Sequence, residues 1–382
     1  MAKYRFGDIC EVLNGRAYKQ NELLSSGKYP ILRVGNFFSS DRWYYSDMEL
    51  PENKYCDYED LLFAWSASFG PKIWDGGKVI YHYHIWKLIP NDDVADKFYL
   101  YYWLQHSVNR LTAGTHGSVM AHMTKGDMEN QSIELPSLQT QKKISSILRT
   151  IDEKIHNNEA INNNLLEQVL TLYRNRFVDT VNNERRICRA DEYFDISIGK
   201  TPPRKEPQWF STNPKDVTWV SISDMGTCGL YISCSSEQLT KEAVDRHNVK
   251  IVPDNTVLLS FKLTVGRIAI TNGEMTTNEA IAHFKTDKKE INEYLYCYLK
   301  CFNYQTMGST SSIATAVNSK IIKGMPFVVP TDDELIDFHS VVAPMFAKIK
   351  ANQTESEKLT AVRDTLLPKL MSGELDVSDI EL

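Results

Sequence analysis

Residues 141–177 read QKKISSILRTIDEKIHNNEAINNNLLEQVLTLYRNRF, and this stretch predicts a long helix with one apolar seam. From residue 144 onward, alternating steps of four and three residues reach mostly apolar side chains, which is the spacing of a coiled coil. A helix of this length spans about 55 Å at a rise of about 1.5 Å per residue. The seam residues expected to pair with another helix are Ile144, Leu148, Ile151, Ile155, Asn158, Leu165, Val169 and Leu172.

The same seam returns about 194 residues later in the chain. Asn158 and Asn352 occupy corresponding positions, where a buried Asn fixes the register of paired helices at a cost in stability. The alternative is that both mark a segment in which the helices face solvent. Pro344 predicts a helix start or kink and Pro368 a helix break, because proline removes an intrahelical hydrogen bond. The second seam comprises Val342, Met345, Ile349, Asn352, Leu359, Leu366 and Leu370.

The region before each long helix is repeated as well. Residues 99–104, YLYYWL, match residues 294–299, YLYCYL, and both segments are typical of short buried helices. Gly15 aligns with Gly199, where the offset falls to 184. Residues 30–34, 78–81 and 217–222 are strand-like runs. A repeat this long indicates a duplicated domain, because the units of solenoid proteins have only about 20 to 50 residues.

These features predict an α+β fold with two similar globular α/β domains, separated by two long helices that form an antiparallel coiled coil. Internal duplication would give the molecule pseudo-two-fold symmetry. Antiparallel helices would place the globular domains at opposite ends, as on a ruler. The predicted boundaries are 1–140 for the first domain, 141–180 for the first helix, 184–334 for the second domain, 335–373 for the second helix and 374–382 for an acidic tail.

The net charge of −6 at first argues against a polyanionic partner. Much of that charge lies in the acidic tail, and a body close to neutral can carry a local basic face. The seven scattered cysteines fit reduced thiols better than a disulfide framework. Because no apolar run approaches the roughly 18 to 20 residues of a membrane span, a cytoplasmic location is expected.

Catalytic motifs do not stand out in the sequence. The pair Pro202–Pro203 lacks the amide or acid before it and the aromatic residue after it that a methyltransferase tetrapeptide needs. Residues 76–79, GGKV, fail as a phosphate-binding loop. His82 and His84 could share one face of a strand, but without a third ligand we interpret them as packing or surface residues. The chain is therefore expected not to be an enzyme by itself.

Two long stretches resemble the conserved regions of type I restriction-modification specificity subunits (HsdS). Residues 135–144, LPSLQTQKKI, followed by residues 151–155, IDEKI, resemble the central conserved region of that family. Residues 363–375, RDTLLPKLMSGEL, resemble its C-terminal conserved region. Residues 199–202, GKTP, are typical of the start of its second variable region, whereas residues 15–18, GRAY, depart from that pattern. The resemblance covers essentially the whole chain.

The resemblance implies that each globular domain is a target-recognition domain for one half of a bipartite site in double-stranded DNA. It implies that the paired helices set the spacing and dock two modification subunits. Those subunits bind S-adenosylmethionine and methylate adenine, and a restriction subunit that uses ATP and Mg joins them for cleavage. The chain itself is expected to hold no catalytic residue, cofactor or metal ion.

Side chains that reach the edges of bases are the candidates for DNA binding. Arg and Lys pair with guanine, Asn and Gln with adenine, and Ser and Thr with several edges. In the first domain the candidates are Arg16, Tyr18, Lys19, Trp65, Ser66, Lys72, His116, Ser118, His122 and Lys125. In the second domain they are Lys200, Arg204, Lys205, Lys262, Thr264, Arg267, Ser309, Thr310, Ser311, Ser312, Asn318 and Lys320. Any one of them can instead be a solvated loop residue.

Two other function classes remain open from the sequence. The chain could be a duplicated scaffold that joins partner proteins without binding DNA, or a degenerate nuclease with a scattered active site. DNA affinity that falls steeply with salt would exclude the scaffold. Metal-dependent cleavage by the chain alone would support the nuclease.

Overall fold

The structure, a computed structural model, divides into two compact units. Unit 1 comprises Met1–Lys154 and Lys358–Leu382, and unit 2 comprises Ile155–Glu357. Two long helices each contribute one segment to either unit. The described residues are 1–38, 42–66, 68–113, 123–180, 182, 185–307, 317–377 and 380, with the backbone alone at 112–113.

Short strands and helices alternate in unit 1. Its strands are β1 (Ala2–Arg5), β2 (Cys10–Asn14), β3 (Tyr29–Leu32), β4 (Tyr44–Ser46), β5 (Tyr55–Cys56), β6 (Leu61–Ser66), β7 (Ser68–Ile73), β8 (Val79–Tyr81), β9 (Ile85–Pro90) and β10 (Ser132–Leu135). Its helices are α1 (Phe6–Ile9), α2 (Val34–Phe38), α3 (Lys97–Ala113), α4 (Lys125–Glu129) and the first part of α5 (Leu138–Tyr173).

Two four-stranded sheets form the body of unit 1. One has the antiparallel order β2-β9-β6-β7, and the other has the order β4-β3-β8-β5 with β3 and β8 parallel. The rings of Phe63 on β6 and Trp86 on β9 stack at 6.1 Å and pack into one core with Tyr99 on α3. The aromatic residues of the repeated sequence thus serve mainly as core, where each buries a large apolar area.

Unit 2 has a matching series of elements. Its strands are β11 (Arg186–Arg189), β12 (Asp195–Ile198), β13 (Phe210–Ser211), β14 (Val217–Val220), β15 (Tyr231–Ile232), β16 (Gln238–Leu239), β17 (Val257–Ser260), β18 (Ile268–Thr271), β19 (Thr276–Thr277), β20 (Ile281–Lys285) and β21 (Pro326–Val329). Its helices are α6 (Ala190–Tyr193), α7 (Asp224–Thr227), α8 (Lys241–Arg246), α9 (Asn292–Cys301), α10 (Ser319–Lys323) and most of α11 (Asp332–Ser372).

The strand order of unit 2 repeats that of unit 1. Its larger sheet has the order β12-β20-β17-β18, with β15 added at the edge, and corresponds to β2-β9-β6-β7. Its second sheet contains the parallel pair β14–β19, which corresponds to β3–β8. Helices α3 and α9 lie where the repeated YLYYWL and YLYCYL segments predicted them. The predicted duplication of an α/β domain is confirmed.

Within unit 1, the start of α5 packs against the end of α11. Ile144 and Leu148 share one buried core with Leu370, and the carboxylate of Asp152 accepts a 2.8 Å ion-pair hydrogen bond from Arg363. From Ile144 to Asp152 the residue numbers rise along α5, whereas those of the contacted residues on α11 fall from 370 to 363. The two helix segments are therefore antiparallel, as the seam predicted.

Within unit 2, the two seam asparagines lie in the helix interface and are each 1% exposed. The Asn158 amide donates to Ser356 Oγ at 3.3 Å, and the Asn352 amide donates to Asn162 Oδ1 at 2.9 Å. The donors Asn158 and Asn352 are 194 positions apart, and so are the acceptors Asn162 and Ser356. The two hydrogen bonds are therefore related by the internal repeat. This arrangement confirms the buried asparagines and excludes the solvent-facing alternative.

Removing the acceptor of Asn352 is expected to destabilise this interface. Asn162→Ala leaves a buried amide without its hydrogen-bond partner, which costs about 1–3 kcal/mol in unfolding free energy. The neighbouring Asn163 is exposed, so Asn163→Ala is the matched control and should change stability by less than about 0.5 kcal/mol. Urea unfolding of the two variants measures both values, and equal values would show that the hydrogen bond does not stabilise the interface.

Leu172 was predicted as a seam residue, and this prediction is wrong because its side chain is 40% exposed. At that end of α5 the buried residues are instead Val169, Leu170 and Tyr173. A straight helix has about 3.6 residues per turn and drifts from a repeat of 3.5. A seam counted by alternating fours and threes therefore leaves the interface after several turns.

The prolines do not limit α11 as the sequence suggested. The helix begins at Asp332, before Pro344, and it continues through Pro368 to Ser372. Each proline removes only its own backbone hydrogen bond. Buried Val342 and Leu367 lie beside the two prolines, and their packing holds the helix together.

Candidate nucleic-acid interface

In unit 1, three chain segments meet at one end of the β2-β9-β6-β7 sheet. The Arg16 N–H donates to Tyr81 O, and the Tyr83 N–H donates back to Arg16 O, both at 3.0 Å. The Trp65 N–H at the end of β6 donates to His84 O at 3.1 Å. These bonds join residues 15–19, the turn 82–84 and the end of β6 at Trp65 and Ser66, and the three segments together are named the unit 1 loop cluster.

Unit 2 builds the same cluster with different side chains. The Lys200 N–H donates to Thr277 O at 2.9 Å, and the Phe261 N–H donates to Ala280 O at 2.9 Å. The unit 2 loop cluster comprises residues 199–201, the turn 278–280 and the β17–β18 hairpin tip 261–267. Loops positioned by a rigid sheet are common carriers of binding residues.

Glycine is required where the first loop crosses the turn. A Cβ atom on Gly15 would lie 2.3 Å from His82 O, and one on Gly199 would lie 2.2 Å from Asn278 O. Real side chains do not approach backbone atoms so closely. The aligned glycines of the two halves therefore allow the same close contact between loop and turn, which explains why both copies have them.

The unit 1 loop cluster is mainly aromatic. Trp65 donates from Nε1 to Tyr83 O at 2.8 Å, and its ring stacks on Trp86 at 5.5 Å. The rings of Tyr83 and His84 lie 3.9 Å apart. His82 forms an isolated bridge with Arg16 and His84 lies in the turn that follows, so the two do not share a strand as predicted, although their rings lie 4.8 Å apart.

Charge in this cluster is largely neutralised. Arg16 forms two hydrogen bonds to the Glu22 carboxylate, at 3.0 and 2.8 Å, and these lower the pKa of Glu22 to about 2. Burial, with a smaller effect from neighbouring His84, lowers the pKa of His82 to about 4, so its ring is neutral near pH 7. Lys19 is exposed beside them. This surface offers rings and hydrogen-bonding groups more than positive charge.

The unit 2 loop cluster is more basic. Lys200 and Lys262 are exposed within it, and Lys205 is exposed a few residues after its first segment. Arg204 is paired with the Glu237 carboxylate at 2.9 and 3.0 Å, and its guanidinium lies 4.1 Å from the centre of the Phe210 ring. The two clusters share a backbone plan but differ in the chemistry of their exposed side chains.

A buried histidine supports the unit 2 cluster from beneath. His283 on β20 is 0% exposed. Its ring nitrogens lie 3.0 Å from Ser197 Oγ and 2.7 Å from Thr277 Oγ1, one residue before the turn 278–280. Burial, with a smaller effect from Lys285, lowers the pKa of His283 to about 3. The neutral ring thus ties two segments of the cluster together.

This histidine is expected to make stability depend on pH. In the unfolded chain its pKa is near 6.5, so below that pH the unfolded state binds a proton that the folded state refuses. Its contribution is therefore complete above pH 6.5 and falls progressively toward pH 3. Between pH 6 and 4.5, the unfolding free energy of the wild type should fall more steeply than that of His283→Gln, by a slope equivalent to about one proton. Parallel profiles from urea unfolding would contradict this assignment.

The other predicted contact residues are not all placed at the clusters. Ser66 is buried, with 2% exposure, so its side chain is not available to DNA. Lys72 pairs with Asp75 and lies four residues after Ser68, where β7 begins, which is about 13 Å along the strand. Arg267 donates to Ile222 O at 2.6 Å and is thereby held against the body of unit 2.

The third predicted loop of each domain is described only at its end. Lys125 begins α4 and lies 3.4 Å from Glu129, Asn318 caps α10 by accepting from Ile321 N, and Lys320 is exposed. Tyr18 stacks on His82 at 6.3 Å, and Thr264 is exposed at the β17–β18 tip. The predicted residues outside the described part of the chain are His116, Ser118, His122, Ser309, Thr310, Ser311 and Ser312.

Sequence analysis missed three exposed residues of the clusters. Tyr83 and Glu279 occupy equivalent turn positions in the two units, and Leu263 occupies the β17–β18 tip. Alignment of the turns after Tyr81 and Thr277 could have found the first two. Nothing local distinguishes Leu263 from a core leucine. Within the described part of the chain, no group of three or more His, Cys, Asp or Glu side chains could hold a metal ion, and no helix is long and apolar enough to cross a membrane.

Comparison with known proteins identifies what this arrangement is similar to. The model of the family described as "Type I restriction modification DNA specificity domain" matches residues 1–167 and again residues 186–361. The type I restriction enzyme MjaIX specificity subunit of Methanocaldococcus jannaschii is 25% identical over 320 residues, which cover 77% of this chain and 72% of that protein. The HindI specificity subunit of Haemophilus influenzae is 20% identical over 342 residues, covering 70% and 74%.

A solved structure shares the fold. The crystal structure of a type I restriction-modification S subunit from M. genitalium matches with a TM-score of 0.60 at 15% sequence identity. The match covers 97% of this chain and 95% of that one. At this identity the comparison supports the fold, and the two family matches in sequence support the duplication independently.

Proposed function

Because this chain belongs to the type I restriction-modification DNA specificity family, we propose that it is the sequence-reading subunit of such a complex. Each loop cluster reads one half of a bipartite site in double-stranded DNA, and the paired helices set the distance between the halves. The observation that carries the proposal is the pair of loop clusters with one backbone plan and two different sets of exposed side chains. Such a pair presents different hydrogen-bonding groups to different bases.

The chemistry is proposed to belong to partner subunits. Two modification subunits would supply S-adenosylmethionine and methylate adenine, and a restriction subunit would supply ATP hydrolysis and Mg-dependent cleavage. This chain would supply recognition without a catalytic residue. The scaffold alternative explains the paired helices, but it does not explain why exposed lysines, rings and hydroxyls gather at both sheet ends.

Methylation mapping tests the proposal directly. The chain is co-expressed with its modification subunit, and methylated adenines are mapped in the host DNA. A split motif with a constant unspecified gap supports the proposal. Affinity of the complex for a duplex with that motif should fall with a log–log salt slope of about −0.9 per neutralised phosphate. A contiguous motif, or binding that is insensitive to salt, would contradict it.

A docking surface for a modification subunit is proposed in unit 2, at the N-terminal part of α11. Leu172 and Val341 are 40% and 52% exposed and flank buried Phe338 in a groove of about 380 Å³. Apolar side chains grouped on a surface mark protein contacts more often than isolated ones do. The positions 194 residues away, Leu366 and Ile147, are apolar as well. We propose that this repeated apolar position docks the second copy of the same partner.

Charge placed in this groove is expected to remove one modification subunit. Val341→Asp puts a carboxylate where an apolar contact would be desolvated, so the complex should retain one modification subunit instead of two. Ile251→Asp, at an exposed aliphatic residue of unit 2 outside the long helices, is the control and should retain both. Native mass spectrometry of the complexes counts the subunits. Two subunits in the Val341→Asp complex would place the docking surface elsewhere.

A further inference from the structure

The tip of the β17–β18 hairpin presents a single large apolar side chain to solvent. Leu263 is 101% exposed, which means that its side chain is as accessible as in an extended peptide. Its neighbours in the chain, Lys262 and Thr264, are polar and also exposed. Leaving a leucine fully hydrated forgoes the free energy of burying it. This position therefore has no structural role in the core of unit 2.

The backbone at this residue is in an unfavourable conformation. Leu263 has φ of 61°, in the left-handed region that residues with a Cβ atom rarely adopt. The Thr264 N–H donates to Lys262 O at 2.6 Å and closes a three-residue turn with Leu263 at its centre. Strain of this kind persists only where the surrounding structure enforces it, and it is concentrated at functional sites.

Buried groups hold the turn in place. The hydroxyl of Ser260, which is 0% exposed, donates to Thr264 O at 2.6 Å and accepts from Arg267 N at 3.0 Å. The Arg267 guanidinium is in turn fixed to Ile222 O. The loop is therefore anchored at both ends of the tip, and it presents the Leu263 side chain from a preorganised position.

We infer that Leu263 is a specificity-determining residue that contacts the 5-methyl group of a thymine in the half-site read by unit 2. This inference rests on the proposed function. A two-stranded hairpin fits the major groove, where the thymine methyl is the apolar group that distinguishes one base from the others. Lys262 beside it can reach a phosphate, and Thr264 can reach a polar base edge. At the position aligned with Leu263, unit 1 has Ala67, whose side chain is much smaller, so the leucine contact belongs to the half-site read by unit 2.

The test is a double-mutant cycle between protein and DNA. The complex of this chain with its modification subunits binds a duplex carrying the mapped motif, and each thymine of the motif is replaced in turn by deoxyuridine, which lacks only the methyl group. With the wild type, one replacement should weaken binding about fourfold, the value of one buried methylene-sized group. Leu263→Ala should weaken binding to the thymine duplex at least as much and should lose nothing further with deoxyuridine.

Controls separate this inference from simpler explanations. Ile251→Ala removes another exposed aliphatic side chain of unit 2, and its complex should show the wild-type response to deoxyuridine. Penalties that add in the cycle, or no response to any deoxyuridine, would overturn the thymine contact. A further duplex carries 2-aminopurine, a fluorescent base, next to the thymine. A rise in its fluorescence with the wild type but not with Leu263→Ala would overturn the thymine contact as well, because it would show a side chain inserted between bases. If the wild-type complex does not bind the duplex at all, that result refutes the proposed function, and the inference that rests on it is refuted too.

Discussion

Lengthening both long helices by seven residues is expected to widen the gap between the two methylated half-sites by about three base pairs. The insertions follow Lys154 in α5 and Glu357 in α11, where the chain passes from one unit to the other. Seven residues preserve the alternation of fours and threes in the seam, and they add about 10 Å of helix at about 1.5 Å per residue. Base pairs rise by about 3.4 Å, so the added length corresponds to three of them.

The half-site sequences should not change, because the loop clusters lie in strands and turns that the insertions leave intact. Three base pairs also rotate one half-site by about 100° around the DNA axis, so slower methylation is expected together with the longer gap. Mapping of methylated adenines measures both properties. The same seven residues inserted after exposed Asn213 serve as the control and should leave the gap unchanged. Altered half-sites, or an unchanged gap in an intact complex, would refute the proposed role of the helices.

Loss of the Glu334 carboxylate is expected to destabilise unit 2 by about 3 kcal/mol. Arg185 donates to Glu334 at 2.8 Å, and their side chains are only 6% and 18% exposed. Arg185 also donates to the carbonyls of Phe177 and Arg176 in the helical turn Arg174–Val178 that follows α5, so it ties this turn to Glu334 at the start of α11. In Glu334→Ala the guanidinium would remain buried without its counter-charge, which is more costly than removal of a surface ion pair.

The neighbouring carboxylate provides the control. Asp333 is exposed on the same turn of α11, and Asp333→Ala should change the unfolding free energy by less than about 0.5 kcal/mol. Hydrogen bonds from Arg185 lower the pKa of Glu334 to about 2, below its unfolded value near 4.5. The stabilisation is therefore complete above pH 4.5 and is lost as pH falls toward 2. Urea unfolding at pH 7 and pH 4 tests both statements, and equal effects of the two substitutions would contradict them.

Several contacts were predictable from the sequence because the residues that make them recur at a regular spacing or at a constant offset. The seam spacing predicted that α5 and α11 pair, and the matched positions of Asn158 and Asn352 predicted that both amides lie in the interface. Aligned Gly15 and Gly199 predicted equivalent loops in the two halves. Each of these inferences needed only a period or an offset, which a single sequence contains.

Residues at the candidate sites were less predictable. Arg16 has the expected type for a base contact, yet its guanidinium is paired with Glu22. Ser66 was predicted as a contact residue together with Trp65, yet it is buried while Trp65 is partly exposed, because successive side chains of a strand lie on opposite faces. Leu263 looks like a core residue by type and is fully exposed. Residue type alone does not state which face of a strand or turn a side chain occupies.

The sequence by itself determined the duplication, the α/β class of each unit, the two long helices and the polar positions of their seam, because these depend on local periodicity and repeated spacing. Only the tertiary structure decided which loops meet at the turns 82–84 and 278–280, that Arg185 joins the turn after α5 to Glu334 of α11, and that the Leu263 side chain is exposed on a strained turn. Those outcomes depend on contacts between residues far apart in the chain. Their partners are selected by packing, which no local pattern of residues encodes.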